Sequence, residues 1–123
     1  MKATALSRKI KAERHGRLAE SLATLLLFSK GYVPVARRTK TPLGEIDLVV
    51  RRGRQLVLVE VKARGALADG LEAVHPRQQA RIIDAFNWWL ARHPRYASHD
   101  IRCDVVAFAP GRLPRHIKNA FSA

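Results

Sequence analysis

Asp47, Glu60 and Lys62 are the residues of this chain whose types and spacing best suit acid–base and metal chemistry. They lie on two apolar segments, residues 45–52 (EIDLVVRR) and 55–62 (QLVLVEVK), separated by Gly53 and Arg54. Glycine at the first central position fits a two-residue type II′ hairpin turn. If Arg52 pairs with Gln55, Asp47 lies opposite Glu60, and Glu45 opposite Lys62. Strand side chains alternate, so Glu45, Asp47, Val49, Leu58, Glu60 and Lys62 are expected on one face. Ile46, Leu48, Val50, Val57, Val59 and Val61 then form a wholly apolar second face that packs into a core.

Two carboxylates directly opposite each other repel, so something positive should sit between them. Lys62 is one candidate. A hard divalent cation, Mg²⁺ or Mn²⁺, is another, with the carbonyl of Val61 offering a further oxygen at the same edge. Such an ion polarises a phosphate and lowers the pKa of a bound water. Lys62 could then orient or deprotonate that water and steady developing negative charge. The plain alternative is an exposed ladder of cross-strand ion pairs on a half-solvated sheet. Glu20 bears on the choice. It sits within an apolar helical stretch, with Ala23, Thr24 and Leu27 on its own side, and a buried carboxylate needs a partner. A metal site supplies one; an arginine at the helix rim, such as Arg17, supplies another.

The elements around the hairpin must position these groups. Residues 16–30 (GRLAESLATLLLFSK) read as a helix ended by Gly31, preceded by a basic, polar segment, 1–14, that could form the frayed start of a helix. The helix is apolar nearly all round, so it is expected to be largely buried. Residues 32–38 read as a strand with an edge or irregular start at Pro34, and 41–44 (TPLG) as a turn. Pro76 opens a second helix running to about Arg92, its apolar stripe made by Ile82, Ile83, Phe86 and Leu90. Trp89 borders this stripe and Trp88 faces away from it. Residues 101–108 read as a last strand, with Asp104 as a partner for Arg102 or a cap on the site. In the tail, 110–123, Ile117 and Phe121 suggest one helical turn. The order αβββαβ predicts one α/β domain over 1–123, a mixed central sheet flanked by helices.

Composition narrows the function. Lys and Arg total 23 against 10 acidic residues, a net charge of +13 and a pI near 11.3. A chain this basic is drawn to a polyanion, DNA foremost. The lone Cys103 excludes an internal disulfide and a cysteine zinc site, and it fits the reducing cytoplasm. No signal peptide or membrane span is expected. The five histidines lack metal-ligand spacing, and the glycines build no phosphate-cradling loop. Arg77, Arg81, Arg92 and Arg95 form either a phosphate-facing stripe or a solvated helix face.

Residues 44–49 (GEIDLV) followed by 59–64 (VEVKAR) resemble the signature of the YraN-like family, related to Holliday-junction resolvases within the PD-(D/E)xK, or restriction-endonuclease-like, nuclease superfamily. The resemblance runs from Gly16 through Arg102-Cys103-Asp104 to residues 119–121, and the superfamily core is likewise αβββαβ. It implies Asp47 and Glu60 as metal ligands, Lys62 as the catalytic lysine and Glu20 as an auxiliary acid. It also implies that Glu45 supports the ligands and that Arg64 contacts phosphate. Arg38 stands where relatives often carry Asn, and is grouped with Arg64, Arg77 and Arg81 as nucleic-acid contacts. Gln78 stands where relatives often carry Lys early in the second helix, although periodicity places Gln79 nearer the centre of the stripe. The expected activity is metal-dependent endonuclease action on DNA, with branched or otherwise structured DNA as a candidate substrate and a homodimer as the candidate assembly that could cut two strands. A non-catalytic nucleic-acid-binding or adaptor module that keeps the fold is the alternative. An RNA-directed protein is a third, weakened by the lack of an aromatic-rich strand motif.

Overall fold

The computed structural model describes residues 5–62, 76–109 and 111–122, with the side chains of the first helix from Arg17 onward. The elements are α1 (Ala5–Ser29), β1 (Val33–Thr41), β2 (Gly44–Arg52), β3 (Gln55–Lys62), α2 (Pro76–Ala91), β4 (Asp100–Ala107) and β5 (Arg115–Phe121). A short 3-10 turn, Pro94–Tyr96, follows α2. The five strands form one sheet in the order β1-β2-β3-β4-β5. All neighbours are antiparallel except β3 and β4, which run parallel and therefore need the long crossover that contains α2. The predicted αβββαβ order is present, with a fifth strand added.

The hairpin forms as its residues dictate. Arg52 pairs with Gln55, Gly53 has φ +61, and Arg54 stays at negative φ, as a type II′ turn requires. α1 stops at Gly31, φ +92. The Tyr32 amide donates to the Leu27 carbonyl and the Gly31 amide to the Phe28 carbonyl, both at 3.0 Å, the double bond of a Schellman cap. Pro34 lies on an edge strand, beside a bulge between Pro34 and Ala36.

Both sheet faces are covered. Leu48, Val50, Val57, Val59 and Val106 pack with Ala23, Leu27 and Tyr32 beneath α1. Val49, Leu58 and Cys103 pack with Ile82, Phe86 and Trp89 beneath α2. The half-solvated sheet of the plain ion-pair reading is therefore not what forms.

α1 begins at Ala5 and takes in most of the basic segment, the helix start that segment could form. Three expectations need correction. α1 is not buried all round: Ala19, Ala23 and Leu27 face the sheet, whereas Leu18, Leu22, Leu25 and Phe28 are exposed. The tail forms no helical turn. Ile117 and Phe121 lie on β5, because β4 would otherwise be an open sheet edge. The buried line of α2 is Ile82, Ala85, Phe86 and Trp89, with Ile83 and Leu90 only partly covered. Trp89 is thus a core residue, stacked on Phe86 and on Tyr96, and Trp88 is covered by the Arg92 guanidinium at 3.6 Å.

Candidate metal centre and its cleft

The candidate site forms where strand regularity fails. The β1–β2 ladder pairs Arg37 with Leu48 and Thr39 with Ile46, and skips Arg38 and Asp47. Arg38 has φ +49, a left-handed conformation that costs a residue with a Cβ about 1–2 kcal/mol. The alternation of β2 breaks here: Ile46 joins the cluster beneath α2, while Leu48 and Val50 face α1. The single apolar face expected for Ile46, Leu48 and Val50 is therefore split, and Asp47 sits at the split.

The β2–β3 ladder ends with Leu48 opposite Val59, one step short of the acidic pair. Beyond it, the Val61 amide donates to Asp47 Oδ2 at 2.9 Å, and the carboxyls of Asp47 and Glu60 lie near enough for each to shift the other's ionisation. Lys62 Nζ lies 3.5 Å from Glu60 Oε1. From α1, Glu20 closes the group: one oxygen each of Glu20, Glu45 and Asp47 lies within 4.8 Å of the others. Glu45, expected as a supporting residue, brings its carboxylate into the cluster itself.

Glu20 and Glu60 are buried and Asp47 is partly buried, whereas Glu45 is exposed. Glu60 is 8% exposed, and burial, then the neighbouring Asp47, pushes its pKa up to about 8 against the pull of Lys62. Burial and Asp47 raise Glu20 to about 7, with Arg38 pulling the other way. Burial raises Asp47 too, opposed by the Val61 amide. Arg38 Nε is 3.4 Å from Glu20 Oε1, whereas Arg17 was the arginine offered by the sequence as the alternative to a metal. That contact is an ion pair only: Glu20 Oε1 is buried without a hydrogen-bond partner. A buried carboxylate oxygen in that state is an open position for a cation.

A cleft of about 470 Å³ opens beside the cluster, with Leu43, Glu45, Glu60, Arg77, Gln78 and Arg81 on its walls. Gln78 Nε2 approaches Glu60 Oε1 at 3.4 Å. Gln78 is four residues before Ile82, in line with Ala85 and Trp89, so the true buried line of α2 aims Gln78 at the site. The structure therefore brings together Glu20, Glu45, Asp47, Glu60, Val61, Lys62 and Gln78, with Arg77 and Arg81 on the cleft wall and Arg38 tied to Glu20. Arg64 lies outside the described residues.

Asp104 does not cap this site. Fully buried, it accepts from Arg102 Nε and Nη2 at 2.8 Å each, from His116 Nε2 at 2.7 Å and from the Asn119 amide at 2.9 Å. Arg102 also donates to the Tyr32 hydroxyl at 2.7 Å, and Lys30 Nζ meets His116 Nδ1 at 3.0 Å. Burial would raise the Asp104 pKa, but the His116 and Arg102 hydrogen bonds outweigh it and hold the carboxyl below its usual value. The sequence offered Arg102 as one of two roles for Asp104, beside a cap on the site, and gave no sign of the His116, Asn119 and Tyr32 contacts.

Fold and site together define an α/β protein with a nuclease-like core and an acidic cluster able to hold a metal at the sheet end. The chain belongs to the uncharacterised protein family UPF0102, the YraN family, whose model matches residues 19–108. It is 53% identical to a UPF0102 protein of Rhodopseudomonas palustris strain BisB18, over 94% of this chain and 85% of that protein. A UPF0102 protein of Parvibaculum lavamentivorans is 56% identical over 89% of this chain and 83% of its own length. One from Methylorubrum extorquens is 52% identical over 87% and 85%. The matched region contains every described residue of the acidic site. Among the described residues, no helix is long and apolar enough to cross a membrane.

Proposed function

We propose that this protein is a divalent-metal-dependent DNA endonuclease of the cytoplasm. One observation carries the reading: a buried Glu20 carboxylate with an oxygen that has no hydrogen bond, grouped with Glu45 and Asp47, near Glu60 and Lys62 and next to a cleft walled by Arg77 and Arg81. The donor set fits Mg²⁺ or Mn²⁺, because hard carboxylate oxygens on rigid strands suit those ions. Glu20, Asp47, Glu60 and the Val61 carbonyl would hold the ion, with Glu45 within reach. Once bound, it supplies Lewis acidity at a phosphate oxygen.

The chain's own residues do the rest. Arg77 and Arg81 lie on the α2 wall, where a phosphodiester can be drawn in by charge without its bases being read. Gln78 and Lys62 both contact Glu60 Oε1 and fix its orientation. Lys62 Nζ is placed to steady negative charge on the phosphate as the backbone bond breaks. The high pKa of Glu60 means that its proton leaves when the positive charge arrives. A small single domain offers little surface for reading a long sequence, which favours branched or otherwise structured DNA.

The test is a cleavage assay on single-stranded, duplex, flap and four-way-junction DNA, and on structured RNA, with Mg²⁺, Mn²⁺ or EDTA. Metal-dependent cutting of DNA that Glu60→Gln abolishes is the expected result. Asp47→Asn should lose turnover while binding DNA as tightly or more tightly. No cutting by the wild type under any metal, with salt-sensitive binding retained, would replace this reading with a non-catalytic binding module.

A further inference from the structure

Arg37 and Arg38 are neighbours on β1, and a regular strand would send their side chains to opposite faces of the sheet. Both reach α1 instead. Arg37 Nη2 donates to Ser21 Oγ at 3.1 Å, and Arg38 Nε lies 3.4 Å from Glu20 Oε1. The left-handed backbone of Arg38, φ +49, redirects this second cation to the helix. Such strain persists only where the surrounding structure imposes it, and it concentrates at functional sites. Here it delivers a guanidinium to an acid that is 9% exposed and grouped with Glu45 and Asp47. The contact is poor as a permanent ion pair. Glu20 Oε1 receives no hydrogen bond from it, so the two-pronged geometry that makes arginine–carboxylate pairs strong is absent. The Arg38 side chain is 39% exposed and has an open way to solvent.

We infer that Arg38 is a resident counter-cation of the acidic cluster, which must leave Glu20 before the cluster takes a divalent ion and which therefore sets the affinity for that ion. This rests on the metal-dependent reading above and adds to it the residue that opposes metal entry. Among the described residues, the pair with Arg38 is the one salt bridge that Glu20 makes. Arg37, tied to Ser21 Oγ, adds positive charge nearby without occupying the carboxylate. A buried carboxylate needs compensation, and Arg38 supplies it while the cluster is empty. A guanidinium and a divalent ion held at the same oxygen repel each other. Arg38 pairs with Glu20 alone, whereas a doubly charged ion draws on Glu20, Glu45 and Asp47 together, so the ion prevails and the guanidinium moves out to solvent. This role differs from a nucleic-acid contact, because Arg38 acts on the ion before any DNA arrives.

Binding of Mn²⁺ to the full chain without DNA tests it, read from the EPR signal of the free ion. Arg38→Asn removes the charge and suits a left-handed backbone, while Arg38→Lys keeps the charge. Arg38→Asn should bind Mn²⁺ at least ~10-fold more tightly than the wild type, and Arg38→Lys should stay within ~3-fold of it. In a Glu20→Gln background, Arg38→Asn should change the affinity by less than ~3-fold, because the contested oxygen no longer carries charge. Displacement has its own signature. As Mg²⁺ is added, the Arg38 Nε–Hε NMR signal, identified by its absence from Arg38→Asn, should move to the position of a solvated arginine, which a fixed structural ion pair would not do. An affinity unchanged or weakened in Arg38→Asn overturns the inference and leaves the metal centre standing. So does an equal gain in the Glu20→Gln background, or an Arg38 signal that Mg²⁺ leaves in place. No Mn²⁺ binding by any of these proteins overturns the metal centre itself, and this inference with it.

Discussion

At the residue scale, the buried carboxylates occupy two kinds of environment, with opposite consequences for stability. Glu60, held at about 8, and Glu20, at about 7, keep protons that the unfolded chain has already released above its value of 4.5. The folded state therefore binds more protons between roughly pH 4.5 and 8, and its stability falls as pH rises through that window. In EDTA, the melting temperature should drop from pH 5 to pH 8. Glu60→Gln should flatten the drop and raise the melting temperature at pH 8; a profile unchanged by this substitution would show that Glu60 ionises freely. Asp104 behaves in reverse. Its lowered pKa stabilises the fold above the ordinary carboxylate value, and that contribution disappears as pH falls through the folded value. Asp104→Ala leaves Arg102 and the Asn119 amide without their acceptor, and should cost about 3–5 kcal/mol in urea denaturation. A cost under ~1 kcal/mol would mean that water replaces the carboxylate.

At the element scale, Asp47 and Asp104 both sit where a ladder is interrupted and a backbone amide is released to them. Asp47 takes the Val61 amide beyond the end of the β2–β3 ladder, beside left-handed Arg38. Asp104 takes the Asn119 amide at the β4–β5 bulge, where Asn119 is itself left-handed at φ +52. Irregular strands thus supply the hydrogen bonds that make a buried acid tolerable. The hairpin between β2 and β3 sets the register that brings Asp47 to Glu60. A Cβ added at Gly53 meets nothing within 4 Å, so Gly53→Ala probes conformation alone. It should cost about 1–2 kcal/mol from the φ of +61, read by chemical denaturation. A change within ~0.3 kcal/mol would show that the turn relaxes to another type.

At the scale of the whole molecule, the net charge of +13 surrounds a site that is itself acidic. The proposed substrate must be attracted by the periphery and admitted to the acid cluster only when a cation neutralises it. Duplex binding by Glu60→Gln should therefore be steeply salt-dependent, weakening by about 10³-fold or more between 50 and 200 mM salt if six or more phosphates are neutralised. Binding that is flat with salt would argue against a phosphate-led interface. Fluorescence anisotropy on a labelled duplex separates the two outcomes.

How much was legible in the sequence follows from the range of the forces involved. The β2–β3 register, the α1 stop at Gly31 and the convergence of Asp47, Glu60 and Lys62 rest on local rules: period-two alternation, a turn glycine and a helix cap. Those rules act within a few residues, so the sequence by itself determined them. The side of α1 that is covered did not follow, because a leucine-rich helix does not state which face meets a sheet built from later residues. Ile117 and Phe121 are spaced as on a helix, yet the open edge of β4 and the need of Asp104 for a donor draw them into a strand. Glu45 enters the acid cluster, and Ile46 leaves the face of Leu48, because Arg38 on another strand turns left-handed. Only the tertiary structure decided these points, since each depends on contacts between segments far apart in the chain, where burial outweighs local preference.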